Sequence, residues 1–162
     1  MKKSKTRLIA NAGLIAALYV VLTYIANLLG IASGAVQCRF SEALTILPVF
    51  TFSAVPGLFI GCFIANLISG SIAVDVIFGS VATLIGALGT YALRKKNKFL
   101  APLPPIIANT IIMPFVIKFA YGSEGTLWYF ALTVGAGEII SCGVLGMCLY
   151  FALRNKARYI FK

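Results

Sequence analysis

Histidine is absent from this chain, and acidic residues are nearly so: four aspartates and glutamates stand against fourteen lysines and arginines in 162 residues. Without an imidazole the serines and aspartates have no base to activate them, which argues against a hydrolase built on nucleophile and base. The same absence removes the commonest zinc ligand, and Cys38, Cys62, Cys142 and Cys148 form no CxxC pair, so neither a metal nor a cofactor is expected. No glycine is followed by lysine, which excludes the GxxxxGK[ST] phosphate loop and leaves any ATP hydrolysis to a partner. Charge itself is scarce. Only 11% of the residues carry it, against about a quarter in a soluble domain.

What fills the chain is apolar sequence, 60% of the whole. Stretches 8–37, 43–74, 76–93 and 99–117 contain no charged residue, and 125–153 contains one, Glu138. Runs of about 18 or more such residues are long enough to cross the hydrocarbon core as helices. They are continuous and do not alternate, which argues against a strand barrel. The run 43–74 is too long for one crossing and is interrupted at "SAVPG" (53–57), where proline and glycine favour a turn. The expectation is one all-α integral membrane domain of six helices, near 8–30, 38–52, 56–70, 73–93, 99–118 and 126–153. The basic N-terminus resembles a signal peptide, but its apolar segment is of spanning length and ends in no convincing cleavage site, so it is taken as the first span.

The lysines and arginines test that count. Twelve of the fourteen fall in three clusters: Lys2, Lys3, Lys5 and Arg7; Arg94, Lys95, Lys96 and Lys98; Arg154, Lys156, Arg158 and Lys162. Positive loops stay on the cytoplasmic side, and an even number of spans between clusters puts all three there. Both termini are then expected to be cytoplasmic. The basic balance reads as topology plus affinity for anionic lipid, and no nucleic acid is expected, since no soluble domain presents the charge.

Parity places the remaining polar residues in the outer half of the bundle. Gln37, Arg39 and Glu42 open the second helix, Asp75 opens the fourth, and Glu138 lies deepest, in the sixth. A carboxylate near mid-span costs roughly 2.5–3.5 kcal/mol on insertion scales, so Glu138 reads as a buried structural partner or as a ligand-binding group. Arg39 and Glu42, three apart, have the spacing of an intrahelical ion pair. Asp75 could simply cap its helix. Asn66 and Asn109 could bond across helices. Gly57, Gly61, Ala65 and Ser69 form a small-residue stripe on the third helix. On the first, Ala12 with Ala16 and Gly13 with Ala17 repeat that spacing, which suits close helix packing.

The blocks "VQCRFSEALTILPVF", "PGLFIGCFIANL", "DVIFGSVATLIGALGTY", "LAPLPPIIANTII" and "LTVGAGEII" resemble, in order and over nearly the whole chain, those of the QueT family. These are substrate-binding (S) subunits of energy-coupling factor importers assigned to queuosine precursors. The resemblance implies the six-helix S-component fold in the bacterial cell membrane. It also implies a transmembrane coupling subunit and two ATP-binding subunits as partners, with an AxxxA motif, here Ala12–Ala16, at the docking surface. A 7-deazaguanine presents a ring N–H beside an exocyclic amine, and one carboxylate accepts both. Glu138 is the candidate for that edge, with Gln37 or Asn109 toward the ring carbonyl. Trp128, Tyr129 or Phe40 are candidates to stack on the ring. Asp75 or Glu42 would balance a cationic aminomethyl group, a nitrile precursor would not need that charge, and the sequence does not choose between these or against queuine. Arg39 is expected to pair with Glu42 or to meet the carbonyl. The competing readings are an S subunit for another small vitamin or nucleobase, and a membrane scaffold that binds no small molecule.

Overall fold

The computed structural model describes residues 5–30 and 39–161. Its helical elements are α1 (Lys5–Leu28), a 3-10 segment (Phe40–Val49), α2 (Ala54–Ile68), α3 (Ala73–Leu93) and α4 (Leu103–Phe115). A short 3-10 turn (Lys98–Leu100) leads into α4, and a π-helical stretch (Val116–Ala120) extends it. Then come α5 (Leu127–Glu138), a second π-helical stretch (Ile139–Leu145), α6 (Gly146–Leu153) and the terminal turn α7 (Ala157–Ile160). No strand occurs among the described residues. Read as continuous rods these are six, and four of them, Lys5–Leu28, Ala73–Leu93, Lys98–Ala120 and Leu127–Leu153, are long and apolar enough to cross a membrane. The second and third are shorter than the sequence pattern suggests for full spans. Ten residues at the 3-10 rise and fifteen at the α rise give only about 20 Å each, against a core of about 30 Å.

Composition explains which rods sit inside. Of α1's 24 residues only Ile15, Ala16, Tyr19, Thr23 and Ala26 are buried, one stripe at helical spacing. Ile9, Leu14, Leu18, Val21 and Leu28 face outward, an apolar surface suited to lipid rather than water. The 3-10 segment is the opposite, with Ser41, Glu42, Leu44, Thr45, Ile46, Leu47 and Pro48 all buried. It packs against α1, α2 and α3 on one side and against α6 and the second π stretch on the other. Three residues per turn align Glu42, Thr45 and Pro48 in one row and Ser41, Leu44 and Leu47 in another. Pro48 removes one backbone donor, which a buried segment tolerates best in a short non-α element.

Small residues set the helix spacing. A Cβ on Gly61 would lie 2.7 Å from Tyr19 Cβ and 3.0 Å from Ala16 Cα, and one on Gly57 would meet the Ala12 carbonyl oxygen at 2.7 Å. Thus α1 and α2 touch nearly backbone to backbone, the contact that small-xxx-small spacing permits. Gly86 does the same for α3, where a Cβ would stand 2.6 Å from Pro105 Cα. At the basic end, Arg94 lies 3.5 Å above the Tyr91 ring and Arg154 lies 5.3 Å from the Phe151 ring, cation–π pairs that suit a membrane interface.

The α1–α2 contact yields a direct test. Gly61→Ala should lower the thermal midpoint in detergent, since overpacking costs about 1–3 kcal/mol. Gly13→Ala, with nothing within 4 Å of its Cβ position, should leave the midpoint unchanged or raise it. Equal midpoints for Gly61→Ala and the wild-type chain would contradict the close approach.

Candidate functional site

The site starts from a backbone irregularity. In the last long rod the α-pattern ends at Glu138 and a π-helical stretch follows. A π turn rotates what comes after it relative to an ordinary helix and often marks a functional position. Here Ser141 and Cys142 turn inward and are buried, facing the 3-10 segment. The Arg39 backbone N–H donates to Ser141 Oγ at 3.2 Å, and Thr45 Oγ1 donates to Cys142 Sγ at 3.3 Å. The two irregular elements are thereby joined side to side.

That junction brings two carboxylates together. Cys142 Sγ lies 3.1 Å from Glu138 Oε2 and 4.0 Å from Glu42 Oε2, and a donor atom from each of the three residues lies within 4.8 Å of the others. Glu42 is buried at 3% exposure, and the Tyr19 hydroxyl donates to its Oε1 from α1. Tyr19 is itself fully packed, so this phenol fixes the carboxylate. The spacing would suit a small cation, but the Tyr19 O–H and the Cys142 S–H already donate to these oxygens and use lone pairs that a cation would take.

Around this pair lies a cavity of about 30 Å³, lined by Arg39, Glu42, Cys62, Gly79, Thr83, Asn109, Met113, Val134 and Glu138. Four sequence-derived candidates, Arg39, Glu42, Asn109 and Glu138, thus meet at one place although they come from three separate parts of the chain. Asp75 stands beside them. It is one turn before Gly79 on α3, and its Oδ1 lies 3.5 Å from the Gly79 Cβ position. The Tyr121 hydroxyl donates to Asp75 Oδ2 at 2.7 Å. Burial and the adjacent carboxylate hold the Tyr121 phenol above its ordinary pKa, so it stays protonated as the donor.

Other expectations are corrected. Arg39 precedes the 3-10 segment in an extended conformation, and Glu42 bonds to Tyr19; among the described residues no ion pair joins Arg39 to Glu42. The i,i+3 argument assumed that both residues lie inside one helix, whereas Arg39 precedes it in extended backbone. Trp128 is 81% exposed and Tyr129 50% exposed, so neither ring reaches the cavity. Phe40 is half-buried and does not line it either. Gln37 lies outside the described residues. On α1, Ala16 is buried and Ala12 half-buried against the α2 glycines, whereas Gly13 and Ala17 face outward. Sequence reasoning missed Tyr19, Cys62, Thr83 and Cys142 because each reads as an ordinary residue of an apolar helix. Only the i,i+4 spacing of Glu138 and Cys142, and of Gly79 and Thr83, gave a signal.

A family model described as QueT transporter matches residues 9–155, which include every described residue of the cavity. Over 85 residues the chain is 42% identical to the queuosine precursor transporter QueT of Lactococcus lactis subsp. cremoris (strain MG1363), covering 52% of this chain and 50% of that protein. The chain therefore spans about half the length of the curated relative it matches. No solved structure matches. Since the family match runs from the first long helix to the end of the last, the chain belongs to the QueT transporter family.

Proposed function

We propose that this protein is the substrate-binding membrane subunit of an energy-coupling factor importer, and that it binds a 7-deazaguanine precursor of queuosine. The observation that carries the reading is the meeting of Glu138, Glu42, Arg39 and Asn109 around one cavity inside the bundle of a QueT-family chain. Glu138 supplies the carboxylate edge that accepts the ring N–H and the exocyclic amine. Asn109 and Arg39 supply donors toward the ring carbonyl. Glu42, held by Tyr19, fixes the floor of the site and its electrostatics.

A cavity of about 30 Å³ holds a water or two, whereas a bicyclic base is several times larger. Binding therefore requires the lining to expand. Met113 at the cavity wall, unbranched and with three rotatable bonds, is the side chain that moves most easily. This behaviour suits a subunit that alternates between open and closed forms. The coupling subunit and two ATP-binding subunits would supply the energy. Gly13 and Ala17, outward on α1, offer the close-approach surface for the coupling subunit, in place of Ala12 and Ala16. Both termini and the 94–98 loop lie in the cytoplasm on this reading. Lys96→Cys should then gain no label over the wild-type chain from an impermeant maleimide outside intact cells. Ready labelling there would overturn the orientation.

Glu138→Gln tests the base edge. It replaces one acceptor oxygen by a donor facing a ligand donor, and an unpaired buried polar group costs about 1–3 kcal/mol. Calorimetry should show affinity for a 7-deazaguanine falling roughly ten- to several-hundred-fold. The control Glu124→Gln, at an exposed position, should bind as the wild type does. Wild-type affinity in Glu138→Gln would remove this residue from the base edge.

A further inference from the structure

One buried group near the cavity has an unmet partner. Asp75 is 3% exposed, and its Oδ1 has no hydrogen-bond partner, although Oδ2 is engaged by Tyr121. A buried carboxyl oxygen without a donor is costly, and such groups persist where a ligand completes them. Its position shows where that ligand would come from. Asp75, Gly79 and Thr83 follow one another at one-turn intervals on the buried face of α3. Gly79 and Thr83 line the cavity, and Oδ1 lies 3.5 Å from the point where a Gly79 side chain would begin. Asn66 Nδ2, on α2, lies 3.0 Å from the same point, in the room that glycine leaves, so a polar amide and the Asp75 carboxyl both stand next to the Gly79 wall of the cavity.

The charges agree. Glu42, Glu138 and Asp75 set three carboxyl groups against the single guanidinium of Arg39 at this site. Arg39 is the one basic side chain lining the cavity, and an ammonium group on the ligand adds a second cationic partner for these carboxyl groups. The helical rise puts Asp75 about 6 Å from Gly79 and about 12 Å from Thr83 along the axis. A substituent of one or two bonds beyond a bicyclic base reaches across such a span.

The geometry points to Asp75 as the counter-ion for an amine on the substrate, so that the site selects the cationic aminomethyl 7-deazaguanine over the neutral nitrile. This inference rests on the deazaguanine reading above and adds a choice within it. The test is calorimetric titration of the full chain in detergent with 7-aminomethyl-7-deazaguanine and with 7-cyano-7-deazaguanine. The wild-type chain should bind the aminomethyl compound at least ~10-fold more tightly, and Asp75→Asn should weaken it ~10- to 100-fold while changing nitrile affinity less than ~3-fold. Unchanged nitrile binding also shows that this variant is folded. Tyr121→Phe, which keeps the Asp75 carboxylate, should preserve the preference for the aminomethyl compound. Equal wild-type affinities, or parallel loss of both ligands in Asp75→Asn, would overturn the counter-ion role and leave the deazaguanine reading standing. Failure of the wild-type chain to bind either compound would sink that reading and this inference together.

Discussion

The hydrogen bond from Tyr19 to Glu42 ties the apolar shell of this protein to its polar centre. A carboxylate inside a helical bundle is expensive wherever its oxygens lack donors. Tyr19 meets that need from α1, and α1 stands close enough only because Gly61 carries no side chain where the two helices touch. Glu42 in turn holds its place because the segment bearing it winds with three residues per turn, which stacks it over Thr45 and faces both toward Cys142. Helix spacing, backbone type and charge placement are one linked constraint. An extra methyl group at Gly61 would be felt at the cavity.

The second polar wall depends on the π stretch after Glu138. A regular α-helix would carry Ser141 and Cys142 around its axis at 100° per residue. The wider turn instead lets both lie buried against the 3-10 segment, where they meet Arg39 and Thr45. Two irregular elements therefore face each other across the site while regular helices surround them. Irregular backbone at membrane depth is tolerable where protein or a cavity covers it, and here the 3-10 segment is buried while the π stretch turns Ser141 and Cys142 onto it and leaves Ile139, Ile140 and Val144 outward.

Much of this was legible in the sequence. The uncharged runs marked the rods, and the prolines and glycines marked their breaks. The rarity of acids made Glu42, Asp75 and Glu138 conspicuous. Their convergence followed from a simple cost argument, since a membrane bundle has few places to put a carboxylate. The backbone types were not legible: "SEALTILPVF" has the composition of a helix of either kind, and burial on all sides decides it. The expected Arg39–Glu42 pair is absent among the described residues because the helix begins at Phe40 and leaves Arg39 in extended backbone. Trp128 and Tyr129 misled for another reason, since aromatic rings near a membrane surface satisfy the interface as readily as a ligand. Ala12 and Ala16 obeyed the small-residue rule, but spacing alone does not say which of two adjacent pairs faces inward.

On the proposed function, this acidic, partly hydrogen-bonded cavity recognises the edge of a 7-deazaguanine. The most direct measurement is competitive retention. The purified chain is incubated with an equimolar mixture of guanine, adenine, cytosine and 7-deazaguanines, desalted, and its retained small molecules are identified by mass spectrometry. A 7-deazaguanine should be retained in preference to adenine and cytosine, which lack the ring N–H and amine side by side. Retention of adenine or cytosine to the same extent, or of no member of the mixture, would contradict it.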